Sequence, residues 1–404
     1  MNFLIALECA ECGARADPAE VANTCIECGS TLLAVYDLEA ARESLTKETW
    51  SRRPAGLWRY RELLPISRRE NEIDLGEGGT LELRLRGLGA EFGLDGLWLK
   101  DEGANPTGTF KARGAATGAS KARELGLKEW AMPTAGNAGS AWAAYAARAG
   151  ADLHVAMPAD TPGANIAECV AYGAKIYLVD GLISDAGRLI ADACARYGWY
   201  DVSTLKEPYR VEGKKTMGFE IAEQFDWDLP DVILYPTGGG VGLIGLWKAF
   251  NELEALGWIG PRRPRLVSVQ AEGCAPVVRA YEENAERCEL WENASTSASG
   301  LRVPKPFADR LVLRILRETD GTAVGVSEEE IKSSMTRLAR LEGLYVCPEG
   351  AASIAAIERL RADGWIGGAD RVVMLNTGNA LKYVDLLALP ELPTFQPDGA
   401  LIPS

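Results

Sequence analysis

A chain of 404 residues, 47% hydrophobic and 25% charged, is too long for one small core and has the composition of a globular protein of two or three folding units. Its 57 acidic against 43 basic side chains give a net charge of −14, which opposes bulk attraction to nucleic acid or to an anionic membrane. No run of about 18 apolar residues is present to span a bilayer, and Met1–Glu8 lacks the basic region and apolar length of a secretion signal.

Four of the nine cysteines fall before residue 30 and the rest are scattered singly. That distribution points to a reducing, cytoplasmic setting and one metal site, not to a disulfide framework. The single histidine, His154, sits in the apolar stretch Leu153–Met157 and reads as a strand residue. Catalysis built on imidazole is thereby disfavoured, and the chemistry is expected from a cofactor.

In chain order, Cys9-Ala10-Glu11-Cys12 and Cys25-Ile26-Glu27-Cys28 lie twelve residues apart. Two such knuckles close a four-thiolate cage around a zinc ion with no open position, so the metal expected at Cys9, Cys12, Cys25 and Cys28 is structural. Residues 1–35 are therefore read as a zinc ribbon and 36–75 as a charged, helix-prone connector. From about residue 95, strand patterns (97–100, 130–133, 153–157, 175–179, 232–235, 266–270, 371–375) alternate with helical ones (140–149, 184–197, 243–256, 328–342, 351–363). This alternation predicts an α/β protein with parallel-type sheets. The proline-bearing tail, 390–404, is expected to be extended.

Three glycine-containing turns each follow a predicted strand and open a helix, where ligands bind in open α/β sheets. In Asn105-Pro106-Thr107-Gly108-Thr109-Phe110-Lys111, the lysine falls near a helix start. There the helix dipole lowers an amine's pKa and suits it to imine formation; a merely solvated lysine is the alternative. In Thr134-Ala135-Gly136-Asn137, the asparagine is either a ligand contact or a helix cap. In Thr237-Gly238-Gly239-Gly240-Val241-Gly242, backbone amides at a helix N-terminus suit a phosphate. Gly240-x-Gly242-x-x-Gly245 also matches a dinucleotide fingerprint, with Glu272 as its acid, so a nicotinamide-dependent dehydrogenase is an alternative on this evidence.

Together with Leu75-Gly76-Glu77-Gly78-Gly79-Thr80 and Asn376-Thr377-Gly378-Asn379-Ala380-Leu381-Lys382, these stretches form an ordered set over nearly the whole chain. The set resembles the fold-type II pyridoxal phosphate enzymes, and most closely the threonine synthases that carry an N-terminal zinc ribbon. The resemblance implies a fold like that of the tryptophan synthase β chain. Its large domain would comprise 76–111 and 209–389, with a small α/β domain, 112–208, inserted. It implies Lys111 as Schiff-base lysine and proton shuttle, and Asn137 at the cofactor's ring hydroxyl. Gly238, Gly239, Gly240, Val241 and Gly242 would lie around the cofactor phosphate, and Thr377 at the pyridine nitrogen. The implied reaction turns O-phospho-L-homoserine and water into L-threonine and phosphate, with Lys100, Thr134 and Arg210 meeting the anionic substrate, in a homodimer. Ala112, Ala138, Leu205, Asn379 and Ala380 depart from the family pattern. The rivals are an ammonia-lyase or β-replacement enzyme of the same cofactor class, and a zinc-dependent nucleic-acid or scaffold protein, which the acidic chain disfavours.

Overall fold

Three sheets organise the chain in the computed structural model, which describes residues 2–387 and 391–392. The tail expected at 390–404 lies outside the described residues, apart from Glu391 and Leu392. The first sheet is antiparallel, in the order β2-β1-β3, and is made of β1 (Leu4–Cys9), β2 (Arg15–Ala16) and β3 (Leu32–Tyr36). In β3 the side chains of Leu32, Ala34 and Tyr36 are buried while Leu33 and Val35 are half-buried, the period of two expected of a strand with one face on a core.

The interval read as a connector instead packs into the main core. It folds into α1 (Leu38–Ser44), α2 (Lys47–Ser51) and a 3-10 turn at Leu57–Leu63. Trp50 is fully buried, with its ring centroid 4.7 Å from Tyr60, 5.0 Å from Phe219 and 4.6 Å from Trp258. Its aromatic residues outweigh its surface charges, because each removes a large apolar area from water.

The chain continues through β4 (Glu82–Arg84), α3 (Arg86–Phe92), β5 (Leu97–Asp101), α4 (Lys111–Glu124), β6 (Glu129–Pro133), α5 (Asn137–Ala149) and β7 (Asp152–Pro158). Next come α6 (Gly163–Ala171), β8 (Lys175–Val179), α7 (Ile183–Tyr197), β9 (Tyr200–Asp201), α8 (Arg210–Gln224), β10 (Val232–Pro236) and α9 (Val241–Ala255). The rest is β11 (Arg265–Ala271), α10 (Pro276–Glu282), α11 (Asp309–Glu318), β12 (Thr322–Val326), α12 (Glu328–Glu342), α13 (Pro348–Ala362) and β13 (Val372–Asn376).

The large sheet runs β12-β11-β10-β13-β5-β4, parallel except for the edge strand β4. The second sheet, β8-β7-β6-β9, is parallel throughout and lies wholly between β5 and β10 in sequence. All five residues of β10 and of β13 are buried, as strands covered on both faces require. Every strand predicted from the alternation forms to within one residue at each end. Strand β12 escaped the reading because Gly325 interrupts its apolar run. His154, in β7, lies 2.9 Å from Glu129 Oε2 and 3.0 Å from the Tyr177 hydroxyl and stacks on Trp199, which is a structural role.

A cluster of buried charges joins α4, α8 and the residue after β5. Arg113, with no exposed surface, donates from Nε to Glu102 Oε2 at 2.6 Å and from Nη1 to Glu220 Oε1 at 2.6 Å. Glu220 also accepts from the backbone N–H of Gly79 at 2.8 Å, which ties the 75–80 segment to α8. Gly213 lets α8 approach α4 closely, since a Cβ there would collide with the Arg113 carbonyl. Replacing Arg113 by Met takes the ion-pair partner from buried Glu102 and leaves Glu220 with Lys100 alone, and is expected to lower the unfolding free energy by about 3–5 kcal/mol. Urea denaturation checks this, and a loss below about 1 kcal/mol would mean the cluster does not hold the helices together.

Candidate active site

Lys111 is the first residue of α4, and the loop before it is bound along its length to the segment after β13. Phe110 N donates to Thr377 O at 3.0 Å, and Asn379 N donates to Gly108 O at 2.8 Å. Thr107 holds φ at 59°, a left-handed conformation rarely adopted by a β-branched residue, so the tertiary structure imposes the turn. The Lys111 amine lies 4.4 Å from the centroid of the Phe110 ring. Burial, and then the positive charge of Arg210, bring its pKa down to about 8; Glu349 and Cys347 act in the opposite direction.

The glycine loop after β10 faces the same region. The Phe110 ring meets Tyr235 at 6.1 Å, and the Tyr235 hydroxyl accepts from Gly242 N at 3.2 Å. Gly240 caps α9 with φ at 82°, and a Cβ on Gly238 would strike the Gly300 carbonyl, so neither position accepts a larger residue. The N–H groups of Gly238, Gly239, Gly240 and Val241 find no protein acceptor among the described residues. Free amides at the N-terminus of a fifteen-residue helix fit a phosphate dianion.

Asn137 opens α5 from the second sheet, and its Nδ2 donates to the Tyr383 hydroxyl at 2.8 Å, while its buried Oδ1 has no partner. Thr377, almost fully buried, lies with Oγ1 3.6 Å from Cys347 Sγ. The Thr134 hydroxyl donates to Gly136 O and accepts from Gly136 N, both at 3.2 Å, and so shapes its own loop. Arg210, at the start of α8, donates from Nη1 to Thr204 Oγ1 at 2.8 Å and from Nη2 to Val202 O. Its guanidinium lies 4.9 Å from the Trp142 ring centroid, and its buried Nε is unpartnered. Burial lowers its pKa to about 10, opposed by Glu207, and it keeps its charge at neutral pH. Thr204 in turn touches the glycine loop, 3.3 Å from where a Cβ on Gly239 would stand.

Lys100 requires a correction. Expected as a substrate cation, it has no exposed surface, and its three donors go to Thr80 O (2.8 Å), Glu220 Oε2 (2.7 Å) and Gln224 Oε1 (2.8 Å). A buried ammonium must be matched by acceptors, and these belong to the charge cluster, not to the active site.

The sequence reading missed Cys347, Glu349, Tyr383 and Lys214. Lys214 is buried on α8, bonds to Phe110 O and lies 4.3 Å from the centroid of the Phe110 ring, which Lys111 also meets. Cys347-Pro348-Glu349-Gly350 opens α13, with the cysteine as cap and proline at the first helical position, a start signal that could have drawn attention to this turn.

The four N-terminal cysteines converge, with all their Sγ atoms within 4.8 Å of one another. Cys9 and Cys28 are 3.4 Å apart, and Cys12 is 3.6 Å from both Cys25 and Cys28. Metal–sulfur bonds of about 2.3 Å in a tetrahedron place sulfurs about 3.8 Å apart, so the set fits a metal ion. The ribbon that carries them grips the approach to α8: Thr31 Oγ1 donates to Leu205 O at 2.7 Å, and the Tyr36 hydroxyl donates to Glu212 Oε2 at 2.7 Å.

In the unloaded protein, the Lys111 amine is expected to titrate with a midpoint near 8, read by trace acylation across a pH series with mass spectrometry. Arg210→Met removes a repelling charge, so the ammonium form becomes easier to hold and the midpoint should rise. A parent midpoint near that of ordinary lysines, about 10.4, would contradict the burial of this amine.

A family model described as pyridoxal-phosphate dependent enzyme matches residues 73–378. Threonine synthase of Methanocaldococcus jannaschii is 35% identical over 378 residues, covering 93% of this chain and 93% of the relative. That of Methanosarcina acetivorans is 37% identical over 377 residues, covering 93% and 92%. Among solved structures, a threonine deaminase from T.th. matches with TM-score 0.61 at 27% identity, covering 74% of this chain and 91% of its own. An Escherichia coli diaminopropionate ammonia lyase matches with TM-score 0.68 at 18% identity, covering 78% and 88%, which shows the shared fold. This chain belongs to the threonine synthase family of pyridoxal-phosphate dependent enzymes.

Proposed function

We propose that the protein converts O-phospho-L-homoserine and water to L-threonine and inorganic phosphate, using pyridoxal phosphate held at Lys111. The observation that carries this reading is a lysine with a lowered pKa, opening α4 beside a loop of free amides. The cofactor, when bound, supplies the electron sink that stabilises negative charge at the carbon bearing the substrate amine. Lys111 Nζ takes and returns protons at that carbon and its neighbours, and its burial beside Arg210 favours the neutral amine that accepts them. The free amides of Gly238, Gly239, Gly240 and Val241 would hold the cofactor phosphate, with Gly242 N kept on the Tyr235 hydroxyl; Asn137 would serve the ring hydroxyl and Thr377 the pyridine nitrogen. Thr134 and Arg210 orient the substrate's anionic groups, and the unpartnered Nε of Arg210 is the donor available for them. Phosphate then departs from the γ carbon, and water adds at the β carbon.

The reading includes a structural zinc ion in the cage of Cys9, Cys12, Cys25 and Cys28. It also includes an inserted small domain at 112–208 and a cytoplasmic homodimer. The nine cysteines, all unpaired as disulfides, support a reducing setting.

Purified protein loaded with pyridoxal phosphate is expected to show a visible absorption band that Lys111→Ala abolishes, with threonine and phosphate formed one for one. A band accompanied by ammonia and a keto acid from serine or threonine, without phosphate release from phosphohomoserine, would replace the synthase with a lyase. Elemental analysis should find one zinc per chain. Its removal by a chelator should lower the melting temperature, and a metal-free protein with an unchanged melting curve would remove zinc from the account.

A further inference from the structure

Tyr383 and Glu349 belong to none of the motifs, yet they reach Asn137. Tyr383, 4% exposed in the turn Ala380–Leu386, donates its hydroxyl to Glu349 Oε1 at 2.8 Å and accepts from Asn137 Nδ2 at 2.8 Å. Gly300 N donates to the same carboxylate oxygen at 2.7 Å, and Gly300 is the residue against which Gly238 packs. The turn that delivers Tyr383 is capped by Asn379, whose Oδ1 accepts from Leu381 N at 2.8 Å. One departure from the family pattern thus has a structural use.

Among Asn137, Tyr383 and Glu349, donor and acceptor rules favour one arrangement, and the Ser299 hydroxyl beside Tyr383 is a further donor to it. A carboxylate only accepts, so the tyrosine proton is committed to Glu349. Burial, and then the charge of Glu349, push the Tyr383 hydroxyl well above its usual pKa, so the proton stays in place. The hydroxyl can therefore only accept from Asn137, and the amide must turn Nδ2 toward it. A flipped amide would set a carbonyl oxygen against an oxygen with no hydrogen to share. Nδ2 keeps a second hydrogen free for a ligand.

We propose that Tyr383 and Glu349 are positioning residues that fix the polarity of the Asn137 amide, so that it offers an N–H, and never its carbonyl, to the ionised ring oxygen of the bound cofactor. This rests on the reading that Asn137 faces the cofactor ring. The titratable groups acting on the Tyr383 hydroxyl are Glu349 on α13 and Cys347, the cap of that helix, and the same two act on Lys111 at the start of α4.

The test is a double-mutant cycle on cofactor retention, measured by equilibrium dialysis of pyridoxal phosphate. Tyr383→Phe is expected to weaken retention about tenfold, the scale of one misdirected buried polar group. Asn137→Ala should do the same, and the double variant should lose no more than either single one, because Tyr383 acts only through Asn137. In Tyr383→Phe, the pH midpoint of the bound cofactor's visible band should rise, since the ring oxygen loses the N–H that favours its ionised form. Glu349→Gln, which keeps the residue's size, provides a second cycle with the same non-additive outcome if Tyr383→Phe does not fold. Additive losses, an unmoved midpoint, or Asn137→Ala losing cofactor while Tyr383→Phe does not, would each overturn the proposal and leave the role of Asn137 standing. If Asn137→Ala retained cofactor normally, the reading of Asn137 would fall and the proposal with it.

Discussion

A guanidinium with no exposed surface cannot stand alone in a protein interior, and Arg113 meets that constraint by drawing Glu102 and Glu220 against it. Those partners come from different parts of the chain: Glu102 follows β5, Arg113 lies on α4 and Glu220 on α8. The one geometry that satisfies all three sets where α4 begins relative to α8. Lys111 at the head of one helix and Arg210 at the head of the other are thereby held near each other. Replaced by apolar residues of matching shape, such a cluster could be as stable; its contribution lies in allowing a single alignment of the helices.

That alignment creates the site's electrostatics. Lys111 is close to Arg210, and Lys111 and Lys214 both meet the Phe110 ring, so three basic groups crowd a buried space. The arrangement favours a neutral amine on Lys111 and attracts anions, which suits both a phosphorylated cofactor and a phosphorylated substrate. In a chain with net charge −14, this basic cluster is a local exception where an anion can be met. Glu349 opposes this effect by favouring the charged form of Lys111.

Much of this was legible in the sequence, for reasons tied to particular residues. Parallel strands such as β10 and β13 are apolar on both faces and bounded by turn residues, so they stand out as runs. The glycine loop and the lysine turn are legible because the backbone there must approach a ligand or leave the usual conformations. Lys100 was misjudged because a charged residue in a strand looks the same whether it faces a ligand or a buried carboxylate, and Glu220 lies 120 residues away. Tyr383 and Glu349 were invisible for a similar reason: their partners are distant in sequence, and neither type is unusual in its local setting. The stretch after the ribbon was misread because its charges are evenly spread while its aromatic residues carry the packing.

The grip of the ribbon on the approach to α8 bears on how freely the architecture can be rearranged. Leu205 holds φ at 63°, and its carbonyl is taken by Thr31; Tyr36 inserts its hydroxyl into the buried set of Glu212, Lys215, Lys248 and Glu252. Excising the ribbon would leave an orphaned acceptor and an incompletely solvated charge cluster on the catalytic body. The ribbon is therefore not a transplantable module, and a chimaera that borrowed another protein's ribbon would have to borrow the matching surface of α8 and α9 with it.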